Sequence, residues 1–211
     1  AGLGLYSFDL TNPAAPQIMG QVNTAPSFAG TEFDNVDTSQ FERTGYVFTN
    51  GYPMNTNCYE PYKDIFVVDA RDPANLDIVA TLPRPVPPAE AEFTDFCQRG
   101  GSFGPKRSGT NHQPGHAHDG IIPYAFYNAG LQIFDVTDPT APEIAGYFVP
   151  RFPTEAEVPS YTFDNASFAI FTEYDRNIIW LVTVGGVYAL STPLLGEVEP
   201  GLPGEVWPPR G

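Results

Sequence analysis

His112, His116 and His118 are the only histidines in the chain, and all three fall in the string NHQPGHAHDG, residues 111–120, which also carries Asp119. Imidazole is the commonest transition-metal ligand and the side chain that titrates nearest neutral pH. A chain that uses histidine nowhere else and then clusters it beside a carboxylate is expected to be building a site. His116 and His118 are two residues apart, so on an extended strand they project from the same face. Mixed imidazole and carboxylate ligands suit Zn, Mn, Fe, Ni or Cu better than Ca or Mg, which prefer all-oxygen shells.

The elements that would position such a site come from the bulk sequence. At 211 residues, with 42% hydrophobic and 14% aromatic content, the chain can bury a core, and its 20 Gly and 23 Pro mark it as turn-rich. A net charge of −15 argues against nucleic acid or an anionic membrane surface as partner. The acids are scattered, which reads as solubility. No apolar run is long enough to span a bilayer. The chain opens at Ala1 with no initiator Met and no signal peptide, which we read as removal of an N-terminal segment. Cys58 and Cys97 either pair as one disulfide of an exported protein or stay as two buried thiols; spacing leaves both open.

One pattern organises the whole chain. GLYSFDLTNPAAPQIMG at residues 4–20 returns as GLQIFDVTDPTAPEIAG at 130–146, as DIFVVDARDP followed by LDIVA at 64–80, and in degenerate form as GVYALSTP at 186–193. Each copy predicts a strand, a tight Asp/Asn-Pro turn and a second strand. The aspartate before the turn (Asp9, Asp69, Asp135) is expected to accept backbone N–H bonds there. Two further strands are expected before each later copy: 31–37 and 45–50, 115–121 and 124–128, 161–170 and 177–184. The surplus over a compact repeat falls in 52–62 and 93–113, expected as inserted loops. The glycine-rich basic stretch within the second, 100–109, is expected to be a mobile lid or a cleavage-exposed loop.

Four antiparallel strands per unit, repeated, predict an all-β chain built as a β-propeller. The motif GLxIFDVTDPxxPxxxG resembles the LVIVD-type repeat of bacterial, often exported, seven-bladed propellers. The resemblance implies scaffold and carries no activity. On this reading the units are a partial blade 1–28, a blade 29–85, a blade 86–152 with the long insert, a partial blade 153–198 and a Pro/Gly-rich tail 199–211. About three and a half blades fall short of the four to eight of a closed ring. The expectation is therefore a second polypeptide, from a cleaved precursor or a separate subunit, that supplies the remaining blades. A four-bladed ring closed by pairing the chain's own ends is the alternative. Localisation is expected to be periplasmic or extracellular.

Aligning the first strand of each unit sets Glu32-Phe33-Asp34-Asn35 against His116-Ala117-His118-Asp119 and Thr162-Phe163-Asp164-Asn165. If these strands line the channel, Glu32, His116 and His118 are metal ligands, with His112 as a loop ligand. Asp34, Asp119 and Asp164 are then the candidate catalytic carboxylates, orienting an activated water. The expected function is a metal-dependent enzyme (Zn, Mn, Fe or Cu) acting on a small organic substrate at the channel, as a hydrolase or a lyase/hydratase. An Fe/Cu oxidoreductase, or a non-catalytic exported propeller that binds a partner or polysaccharide, are the alternatives. No Walker loop and no GxSxG elbow offers another chemistry.

Overall fold

The computed structural model describes residues 4–24, 33–55, 58–110, 118–151 and 167–197, and these form an all-β structure of four antiparallel sheets. The first sheet pairs β1 (Leu5–Asp9) with β2 (Gln17–Val22). The second runs in sequence order through β3 (Asn35–Asp37), β4 (Tyr46–Asn50), β5 (Ile65–Asp69) and β6 (Asp77–Thr81). The third is β7 (Arg107–Ser108), β8 (Ile121–Ala125), β9 (Leu131–Asp135) and β10 (Glu143–Phe148). The fourth is β11 (Ser167–Glu173), β12 (Ile178–Thr183) and β13 (Gly186–Leu190). The only α-helix among the described residues is the single turn α1 (Phe41–Thr44), between β3 and β4. None of these elements is a helix long and apolar enough to cross a membrane.

The repeat acts through its turn. Asp9, Asp69 and Asp135 each accept the backbone N–H two residues on, from Thr11 (2.8 Å), Arg71 (3.1 Å) and Thr137 (2.8 Å). Asn12, Asp72 and Asp138 repeat the device one turn later, taking the N–H of Ala14, Ala74 and Thr140. These Asx turns fix the hairpin through bonds made within the turn itself. The following strand then carries a one-residue bulge at the same place in each copy. Ser7 faces Gly20 and Phe8 faces Ile18, leaving Met19 over; Val79 and Ala145 are the extra residues in the other two.

Two apolar layers lie between successive sheets. Phe48, Ile65 and Val67 of the second sheet pack on Ile122, Tyr124 and Phe134 of the third. Ile121, Leu131 and Ile133, on the third sheet's other face, pack on Ile179 and Leu181 of the fourth, with Tyr188 and Leu190 beside them. The first sheet meets the second at the turn after β5, where Ser7 donates to the Pro73 carbonyl.

The loop expectations need correcting. Cys58 and Cys97 form a disulfide that ties the two inserts together. Phe96 and Phe103 of the second insert stack within the core, with centroids 5.7 Å apart. Residues 101–105 are buried, and Arg107–Ser108 form β7, so 100–109 is neither a lid nor a cleavage-exposed loop. The first strand of the third sheet is therefore β7, where 115–121 was expected. Gly120 explains why: its φ of +78° turns the chain, and its carbonyl accepts the Val136 N–H at 2.7 Å, so β8 starts only at Ile121. The strand expected at 124–128 ends at Ala125 and gives way to a 3-10 turn over Tyr127–Ala129.

Candidate functional site

The first strands of three sheets, β3, β7 and β11, lie side by side, and a buried polar cluster fills the space between them. β7 approaches β11 closely at Gly109, where a Cβ would stand 2.7 Å from the Thr172 hydroxyl. Asp37, the last residue of β3, is fully buried at the centre. One of its carboxylate oxygens accepts the Ser39 N–H at 2.8 Å, and the other accepts the Thr110 hydroxyl. The Thr110 hydroxyl also lies 3.3 Å from Ser108 Oγ. Asn35, two residues back on the same face of β3, reaches Ser108 Oγ and the Tyr124 hydroxyl, both at 3.4 Å. Tyr124 in turn donates to Asn50 Oδ1 at 3.0 Å.

Two phenols face this carboxylate. Burial pushes the Tyr124 hydroxyl well above its ordinary pKa; the nearby Asp37 charge adds to the rise, while its bonds to Asn35 and Ser108 oppose it. Tyr174, just past β11, is raised for the same two reasons, burial first. Both stay neutral O–H groups at any physiological pH. What assembles here is one buried carboxylate among neutral donors.

The histidine segment leaves and re-enters the described structure beside this cluster. The chain departs after Thr110, which bonds Asp37, and returns at His118. Gln40, three residues beyond Asp37, holds the return point from both sides. Its Nε2 donates to the His118 carbonyl (3.0 Å) and its Oε1 accepts the Gly120 N–H (2.8 Å). His118 itself is exposed and lies in a turn, so the expected strand placement of this residue is corrected. Its Nδ1 is 3.0 Å from the Asp119 carbonyl oxygen. A carbonyl can only accept, so the ring Nδ1 is the donor in this contact. That ring packs over Gly196, where a Cβ would stand 2.8 Å from Nε2. The Asp119 side chain is 81% exposed, 4.0 Å from the Arg43 guanidinium.

Asp34 does not join this group. It precedes β3, where its carboxylate pairs with Lys106 at 3.2 Å, and Lys106 lies over the Tyr52 ring. Gln40 and the His118 turn lie beyond the other end of β3, about 10 Å of strand away. His112, His116, Glu32 and Asp164 lie outside the described residues. Among the described residues, no group of three His, Cys, Asp or Glu side chains is placed to hold a metal ion. Asp34, expected as a catalytic carboxylate, is paired with Lys106 at the far end of β3.

The register also replaces the alignment of inner strands. Asp37 pairs with Phe48, Gly109 bonds the Pro123 carbonyl, and Phe171 pairs with Trp180, so Asp37, Gly109 and Phe171 share a position. Asp37 was missed by sequence reasoning. The available signal was Asn35 and Asp37 two apart, two polar side chains on one face of a strand. A separate cavity of about 480 Å³ opens at the seam of the third and fourth sheets, walled by Leu131, Ile133, Phe148, Ile179, Leu190 and Leu194. It lies against the outer strand β10, away from the Asp37 cluster, and its walls are mostly apolar.

No protein-family model matches the chain, and no curated protein matches its sequence.

Proposed function

We propose that the chain is part of an exported, metal-dependent β-propeller enzyme acting on a small organic substrate where its inner strands meet. The observation that carries this reading is the arrangement at Asp37. The histidine segment is anchored at Thr110, on the buried carboxylate, and again at His118, through Gln40. The two described ends of the segment that carries the histidines, Thr110 and His118, are thereby held at one end of the sheets, beside the channel a propeller would have. The disulfide between Cys58 and Cys97 supports export, since such bonds persist in oxidising compartments.

His116 and His118 would hold a divalent transition metal, Zn, Mn, Fe or Cu, with His112 and Glu32 as further ligands. When bound, such an ion supplies Lewis acidity and a water of lowered pKa, which suits a hydrolase or a lyase/hydratase; Fe or Cu would suit oxidoreduction. The chain's own residues set the geometry. Gln40 fixes the turn that carries His118, whose Nδ1 lies against the Asp119 carbonyl. The exposed Asp119 carboxylate, 4.0 Å from Arg43, would orient substrate. Asp34 serves as the scaffold partner of Lys106 rather than as a reacting group.

A non-catalytic exported propeller that binds a partner is the second reading. Exposed apolar side chains on the end sheets favour it, among them Phe8 and Val187. Metal analysis of the purified natural protein separates the two. We expect tightly held metal, lost together with turnover of a panel of lactones and esters in both His116→Ala and His118→Ala. Unchanged metal content and activity in both variants would remove the enzyme reading.

A further inference from the structure

The repeat allows equivalent side chains to be compared within one molecule. Phe8 stands one residue before the turn aspartate, as do Val68 and Phe134. Val68 and Phe134 are fully buried, each on the face of its sheet turned toward the preceding one, whereas Phe8 is 51% exposed. Its cross-strand partner Ile18 is 62% exposed, and Tyr6 lies on the same face with its ring 6.4 Å from that of Phe8. The opposite end shows the complementary case. Val187 occupies the position of Ile65 and Leu131, which are buried against the next sheet, yet it is 62% exposed. Phe171, paired with Trp180, shares that outer face and is also exposed.

The two open faces are therefore the two halves of one kind of junction. Inside the molecule, Ile65 and Val67 meet Ile122 and Phe134, and Leu131 and Ile133 meet Ile179, Leu181 and Leu190. The outer face of the fourth sheet is of the Ile65/Leu131 kind. The outer face of the first sheet is of the Val68/Phe134 kind. A single species can satisfy both.

We propose that a second copy of this chain covers both faces, first sheet on fourth sheet and fourth on first, around a two-fold axis. The proposal rests on the propeller reading of the stacked sheets and identifies the partner polypeptide as a separate, identical subunit. Closure follows from symmetry, because two heterologous junctions related by a two-fold form a closed ring and leave neither face free. Four sheets from each copy reach the upper end of the roughly four to eight blades that closed propellers use. The apolar faces must overcome repulsion between two copies that each carry a net charge of −15. Salt screens that repulsion and strengthens apolar association, so the dimer tightens as salt rises.

Sedimentation equilibrium of the chain over a range of concentration and salt tests this directly. We expect a dimer that tightens with salt and that both Phe8→Asp and Val187→Asp convert to folded monomer. Val86→Asp, at an exposed position outside both faces, should leave the dimer intact. After mixing and subunit exchange, Ile18→Cys protein should cross-link to Val187→Cys protein, and neither should cross-link to itself. A monomer at every concentration overturns the proposal, as does a dimer indifferent to both aspartates or one cross-linked 18 to 18. Small-angle scattering of such a monomer would separate the failures: an arc of stacked sheets, or a ring closed by the chain's own ends, refutes only the identical partner, and any other shape refutes the propeller reading as well.

Discussion

Removing the Thr110 hydroxyl is the sharpest perturbation of the buried cluster. The Asp37 carboxylate is fully buried and has two donors, the Thr110 hydroxyl and the Ser39 N–H. Thr110→Val keeps the branched shape and deletes one of them. A hydrogen bond to a charged group contributes about 1.5–3 kcal/mol, and a buried charge left short of a donor sits at the upper part of that range. We therefore expect Thr110→Val to lower the unfolding free energy by about 2–3 kcal/mol. Asp37→Asn removes the charge and keeps an acceptor for one donor, so about 1 kcal/mol is expected. With the charge gone, the threonine hydroxyl matters less. The double variant should lose less than the sum of the singles, with a coupling of about 1–2 kcal/mol. Urea unfolding of the disulfide-intact protein at pH 7, followed by tryptophan fluorescence, reads all three values. The reasoning fails if Thr110→Val costs under about 0.5 kcal/mol, or if the two changes add within that margin. Either result means that the carboxylate reaches water and the cluster is open.

Two further outcomes follow from the loops and turns. The Cys58–Cys97 bond closes a loop with a sequence separation of 39, for which chain entropy gives about 4 kcal/mol at 25 °C. Cys58→Ala with Cys97→Ala should move the urea midpoint accordingly, and a loss under about 1 kcal/mol would show that aromatic contacts alone hold the inserts. The turn carboxylates predict an acid limb. Asp9 is held below its ordinary pKa by the Thr11 hydroxyl, Asp69 by the Arg71 guanidinium and Asp135 by the Thr137 N–H. A folded-state pKa below the unfolded one stabilises above the unfolded value, about 3.9, and that stability is lost as pH falls through the folded value. The melting temperature should thus fall below about pH 4, and Asp135→Asn should lower it at pH 7 while flattening the acid limb. An acid limb of unchanged slope in Asp135→Asn would refute this assignment.

How much of this was legible depends on whether the information is local. Asp9, Asp69 and Asp135 announce their turns because an Asx turn is made within three residues, and the strands on either side follow in register. The second strands, β4 and β12, were readable as short runs rich in β-branched and aromatic residues, YVFTN and IIWLVT, placed before the repeat copies. β7 was not, since it is two residues long between glycine-rich flanks and is extended only because Ser108 and Arg107 pair with Tyr124 and Ala125. His-Ala-His-Asp alternates as a strand would, yet its described part, His118 and Asp119, lies outside any strand and leads into a left-handed turn at Gly120. Asp37 looked like the polar end of a strand. Its burial comes from Thr110, 73 residues away, and no local pattern encodes that contact.

These differences move the chemistry from strands to connections. In the second sheet, β3 leads to β4 through α1; in the third, β7 leads to β8 through the segment that holds every histidine of the chain. Gln40, from the first of these connections, binds both ends of the His118–Gly120 turn of the second with one amide. A strand-borne pair of histidines would be spaced by the pleat and fixed by the sheet ladder. A connection is free of that spacing, and the described ends of this one are held by Asp37 through Thr110 and by Gln40 through His118. Rigid sheets that carry functional groups on the loops at one end are the common division of labour in repeat scaffolds. It accounts for why the repeat motif itself contains no reactive residue. It also accounts for why the one buried carboxylate among the described residues, Asp37, lies where the histidine connection is tied to its neighbour.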